Sequence, residues 1–160
     1  MIITKSEKET MTLAKKFASQ LKGGEVIALI GELGAGKTVF IKGLAKGLGV
    51  KQTITSPTFV LMKIYPVKCR KAAIPLLAGL FNRVNPVKRK KIKYLCHIDA
   101  YRLKNGQELI GIGLNDWLSR SDVITVIEWA DRVREILPKK SIKIRLNYGK
   151  KEDERIVEIT

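Results

Sequence analysis

One stretch of eight residues, Gly31-Glu32-Leu33-Gly34-Ala35-Gly36-Lys37-Thr38, restricts what this chain can fold into more than any other feature. It fits the spacing G-x-x-x-x-G-K-[ST] at every fixed position. The residues before it, Val26-Ile27-Ala28-Leu29-Ile30, are apolar throughout, the pattern of a strand buried on both faces of a parallel sheet. After it, Val39, Ile41, Leu44, Ala45 and Leu48 mark one face of a helix that stops at Gly49. A glycine-rich turn between a strand and a helix lets successive backbone N–H groups converge on a phosphate at the helix N-terminus. Lys37 then brings positive charge to the β- and γ-phosphates, and the Thr38 hydroxyl is placed for Mg²⁺. Guanine-specific proteins of this class carry an N/T-K-x-D element, which this sequence lacks, so ATP or ADP with Mg²⁺ is the expected ligand.

The rest of the chain extends an α/β pattern. Ser6-Glu7-Lys8-Glu9 reads as a capping box opening a helix whose apolar face is Met11, Leu13, Ala14, Phe17, Ala18 and Leu21. Strands are expected at residues 59–65, 94–98, 123–127, 142–146 and 155–159, with helical segments at 107–118 and 131–137. The expectation is a P-loop NTPase-like α/β fold: a mostly parallel central sheet flanked by helices, closed by an antiparallel C-terminal hairpin. Residues 1–160 are read as a single ATPase domain.

A metal-bound nucleotide also needs carboxylates. Asp99 follows the apolar strand Tyr94-Leu95-Cys96-His97-Ile98, and Glu128 ends the equally apolar run at 123–127. Both fall at the carboxyl edge where α/β sheets place their ligands, and both suit Mg²⁺ binding or the orientation of an attacking water. His97 lies beside Cys96, and the other thiol, Cys69, is 27 positions away, which is no metal-ligand spacing. Two cysteines are too few for a disulfide framework, so a cytoplasmic setting is expected. The N-terminus has no apolar leader core, and the longest nearly apolar run, at 72–81, is about half the ~20 residues of a spanning helix. No membrane association is expected.

The phosphate loop, followed by Thr55-Ser56-Pro57-Thr58-Phe59, His97-Ile98-Asp99-Ala100-Tyr101-Arg102 and Ile127-Glu128-Trp129, resembles the TsaE (YjeE) family, the ATPase component of tRNA threonylcarbamoyladenosine (t6A) biosynthesis. The resemblance runs from about Thr10 to the C-terminal strands. It implies an ATPase that is weak alone and acts with the transferase pair TsaD and TsaB on tRNA. It further implies that Lys37 and Thr38 serve phosphate and metal, that Glu128 is a metal ligand, and that Asp99 is a Walker-B-like acid at the nucleotide. Thr58 would sense the γ-phosphate from a switch-like loop, and Thr10 and Trp129 would lie against the nucleotide.

One segment departs from the family's pattern. Between Pro66 and Lys93, 28 residues hold nine basic side chains and no acidic one, which places +9 of the net +16 in this insertion. Such a segment suits tRNA phosphates or a solvated basic loop over a short helix with the face Ala72, Ala73, Leu76, Leu77, Leu80, Phe81 and Val84. The motifs by themselves leave two other functions open: a free-standing small-molecule kinase and a nucleotide-gated binding protein.

Overall fold

The apolar run before the glycine-rich turn folds as an interior strand of a sheet in the computed structural model, which describes residues 1–57, 60–68 and 92–160. In chain order the elements are β1 (Ile2–Thr4), α1 (Glu7–Ala18), β2 (Val26–Ile30), α2 (Lys37–Leu48), β3 (Met62–Pro66), β4 (Tyr94–Asp99), α3 (Gln107–Gly111), α4 (Leu114–Leu118), β5 (Val123–Glu128), a 3-10 segment (Ala130–Ile136), β6 (Ile142–Tyr148) and β7 (Arg155–Ile159). The described strands form one sheet in the order β1-β7-β6-β2-β5-β4-β3. Its centre, β6-β2-β5-β4, is parallel. The pairs β3–β4, β6–β7 and β1–β7 are antiparallel, so the sheet is mixed rather than mostly parallel. The expected C-terminal hairpin is β6–β7. A parallel neighbour requires a crossover, and the short turn between Tyr148 and Arg155 leaves β6–β7 no room for one. Strand β1 was not expected, because three residues are too short to display a period.

Alternation along the strands sorts the core into two layers. Ile27, Leu29, Leu95, Ile124, Val126 and Ile144 face α1 and α2, together with Phe17, Phe40, Ile41 and Leu44. Val26, Ala28, Cys96, Ile98, Val123 and Ile127 face α3, α4 and the 3-10 segment. The capping box forms as a variant: the Glu9 N–H donates to Ser6 Oγ at 3.2 Å, while the Glu9 carboxylate accepts from the Lys5 N–H rather than that of Ser6. The expected helix at 107–118 is two short helices, because Gly113 turns the chain at φ +86°. Strand β3 begins at Met62, not residue 59. The Pro57 carbonyl accepts from the N–H groups of Val60 and Leu61, and Leu61 has φ +60°, so this turn precedes the strand.

Helices α1 and α2 cross so closely that a methyl group on Gly43 would lie 2.8 Å from Met11 Cα and 2.9 Å from Ala14 Cβ. Helix propensity alone favours Gly43→Ala by about 1 kcal/mol. Overpacking against backbone atoms opposes it, and the expected outcome is a net loss of roughly 1–3 kcal/mol. Urea denaturation midpoints at constant slope measure it; a more stable variant would show that the helices separate at no cost.

Candidate nucleotide site

Three adjacent strands end at one edge of the sheet. Leu29 on β2 pairs with Glu128 on β5, and Glu128 pairs with Asp99 on β4, so the phosphate loop and both acids share one row. They line a cleft of about 510 Å³ together with Thr10, Thr38 and Trp129. Gly31 leads into the loop at φ +154°, where a side chain would collide with the Leu146 carbonyl of β6. Gly36 opens α2 without a side-chain cap, and no acidic residue occupies the first turn, so that turn presents its N–H groups to an anion.

Lys37 is buried, with its ammonium donating to the carbonyls of Gly31 (2.7 Å) and Glu32 (2.8 Å) and sitting 3.6 Å from the centroid of the Trp129 ring. Burial lowers its pKa from the usual lysine value, against the opposing pull of Glu128, Asp99 and Asp131. Trp129 holds this place with φ +56°, a left-handed backbone that is strained for a bulky residue and is stabilised here by its surroundings. Its ring also packs on Tyr101, centroid to centroid 4.9 Å.

The two acids are held differently. Glu128 Oε1 accepts from His97 Nε2 at 2.8 Å, and Oε2 accepts from the Thr38 hydroxyl at 3.3 Å. Asp99 Oδ2 accepts from the Ser56 hydroxyl at 2.7 Å and Oδ1 from the Tyr101 N–H at 2.9 Å. Thr10 lines the cleft, but its hydroxyl donates to the Ser6 carbonyl and is shared with Thr4 at 2.7 Å. Thr58 lies outside the described residues, as does the helical face at 72–84. Cys96 and His97 point to opposite sides of β4 and form no common site; burial pushes the Cys96 thiol up to about 12.

Sequence reasoning missed Glu7, Asp153 and Arg155, which also line the cleft. They come from the start of α1, the β6–β7 turn and the first residue of β7, and no nucleotide-binding motif contains them. The hairpin also holds the loop tip: Tyr148 Oη donates to the Leu33 carbonyl at 2.6 Å, and Arg155 donates to the carbonyls of Gly34, Glu152 and Glu154.

The donor chemistry fits magnesium. Thr38 and Glu128 offer hard oxygens on one side of the loop, and Mg²⁺ is ordinarily held by one or two such groups plus water and phosphate. Among the described residues no three His, Cys, Asp or Glu side chains form a metal cage.

The family described as threonylcarbamoyl adenosine biosynthesis protein TsaE matches residues 4–77 and 79–157. The chain belongs to the TsaE family. TsaE of Bacillus subtilis is 32% identical over 157 residues, covering 98% of this chain and 82% of that protein. TsaE of Streptomyces coelicolor is 35% identical over 136 residues, 84% of this chain and 76% of its own. TsaE of Rickettsia bellii is 33% identical over 159 residues, 99% and 92% respectively. The crystal structure of Bacillus subtilis YdiB superposes with a TM-score of 0.69 at 28% identity, covering 99% of this chain and 82% of that one. The TsaE relationship thus extends over nearly the whole chain. Among the described residues no helix is long and apolar enough to cross a membrane.

Proposed function

We propose that this protein is the Mg²⁺-dependent ATPase of tRNA t6A modification, a P-loop NTPase-like domain that works with a TsaD/TsaB-type transferase. The observation that carries the reading is the row of loop, Glu128 and Asp99 on three neighbouring strands around the start of α2. The TsaE relatives, named for t6A biosynthesis, supply the pathway. In this reading the loop N–H groups and Lys37 bind the phosphates, while Thr38 and Glu128 hold the metal. Bound Mg²⁺ would neutralise charge on the β- and γ-phosphates. Asp99 holds the Ser56 hydroxyl through Oδ2 and, as the second acid of the row, would bind the metal or orient the attacking water. Trp129 and Thr10 form the wall of the site, and the Thr58 hydroxyl would sense the γ-phosphate.

Arg155 lines the cleft, yet its guanidinium is engaged by three carbonyls, which supports slow hydrolysis alone and acceleration by partners. A small-molecule kinase needs an acceptor pocket beside the loop. The second groove, about 270 Å³, instead runs along the C-terminal half of α2 and is lined by Lys42, Lys46 and Lys51. Thin-layer analysis of labelled ATP tests the choice: free phosphate without a phosphorylated acceptor is expected, and transfer to a small molecule would overturn the ATPase.

We further propose that tRNA contacts this protein through the basic insertion. Val67 and Lys93 are joined by a 2.7 Å backbone hydrogen bond at the Tyr94 end of β4. At ~3.3 Å per residue that end lies about 17 Å from Asp99. Replacing residues 67–91 by a short glycine bridge is expected to leave ADP affinity unchanged. It should flatten the slope of log tRNA affinity against log salt by about 2–4 units. Filter binding at several salt concentrations measures this, and an unchanged slope would remove tRNA from the insertion.

A further inference from the structure

We propose that His97 is a positioning residue for the metal side of the site, acting entirely through Glu128; the inference rests on reading Glu128 and Thr38 as the Mg²⁺ donors. The geometry begins with the sheet. His97 stands two residues before Asp99, and Asp99 pairs with Glu128, so His97, Asp99 and Glu128 project from the same face of β4–β5. His97 reaches Glu128 diagonally, Nε2 to Oε1 at 2.8 Å, with the imidazole fully buried and Glu128 3% exposed. A carboxylate can only accept, so the bond network assigns the hydrogen to Nε2. Nδ1 has no hydrogen-bond partner among the described residues.

A buried ring with one unpartnered nitrogen is a poor choice for packing alone, since an apolar side chain would fill the volume without that penalty. What the imidazole supplies is a fixed donor. The terminal torsion of a glutamate is broad and nearly two-fold, so an untethered Glu128 would present either oxygen in many orientations. With Oε1 tied from beneath by His97, Oε2 is left toward Thr38 and the cleft. Outer partners of this kind orient metal ligands, and losing one ordinarily costs 10–100-fold in metal affinity. His97 itself touches neither nucleotide nor metal.

The test uses the full chain and calorimetry of ADP with and without Mg²⁺, with urea midpoints to confirm folding. His97→Asn keeps a polar amide but is too short to reach Oε1; it is expected to weaken Mg²⁺ binding to the ADP complex by about 10–100-fold. Its metal-free ADP affinity should stay within about twofold. His97→Gln extends an N–H donor to the same oxygen and is expected to recover most of the loss. In a Glu128→Gln background His97→Asn should cause no further loss. Wild-type Mg²⁺ affinity in His97→Asn would overturn the proposal, as would equal losses in the Asn and Gln variants or a parallel fall in metal-free ADP affinity. A wild-type protein whose ADP binding ignores Mg²⁺ would instead overturn the metal site itself, and this proposal with it.

Discussion

Glu128→Gln is expected to reduce ATP turnover by roughly 10²-fold while leaving metal-free nucleotide affinity within about twofold of the wild type. The amide oxygen still accepts from His97 Nε2, so the fold keeps its buried hydrogen bond, while the negative charge is removed and an NH2 group replaces the oxygen that accepts from Thr38. In the proposed function the ground-state phosphate contacts come from the loop backbone and Lys37, which the substitution does not touch. The change therefore falls on the interactions that strengthen as charge develops on the transferring phosphoryl group, where a single electrostatic contact contributes on the order of 10²–10³ in rate. Glu128→Ala is a harsher variant. It strips a fully buried imidazole of its partner, and an additional stability loss of about 1–3 kcal/mol is expected. Steady-state phosphate release together with calorimetry separates the two effects. Turnover of Glu128→Gln equal to wild type would remove Glu128 from the site.

Lys37→Ala is expected to lower ATP and ADP affinity about tenfold to a hundredfold, the equivalent of one charge-assisted phosphate contact of roughly 1.5–3 kcal/mol. Among the described lysines, Lys42, Lys46 and Lys51 are not placed to substitute for it. Lys37 is buried between the loop carbonyls and the Trp129 ring, whereas Lys42, Lys46 and Lys51 line the groove along the far half of α2. Its ammonium reaches a phosphate by exchanging one carbonyl for a phosphate oxygen, with little further side-chain ordering. Calorimetry in the presence of Mg²⁺ measures the loss. Unchanged affinity in a folded variant would sink the nucleotide reading of the loop.

The proposed ATPase and the proposed tRNA contact sit at opposite ends of β4. Asp99 stands at the cleft, and Tyr94 stands beside the hydrogen-bonded Val67 and Lys93 that flank the basic segment.

The sequence by itself determined the elements whose signals are local. An apolar run before a glycine-rich turn, an amphipathic helix after it and acids at the ends of two buried strands each follow from residues within a few positions of one another. The strand and helix read over residues 26–49, and the placing of Asp99 and Glu128 at strand ends, therefore match the structure. The strand order, the antiparallel pairs β1–β7 and β3–β4 and the three-residue β1 were decided only by tertiary structure, because they depend on which distant segment lies alongside. The same holds for the site's remaining walls. Glu7, Asp153 and Arg155 reach the cleft from opposite ends of the chain, and His97, whose sequence neighbours give it no metal-ligand spacing, meets Glu128 only through a diagonal contact across two strands. Local periodicity records which face a side chain takes; only the packed sheet decides which groups meet on that face.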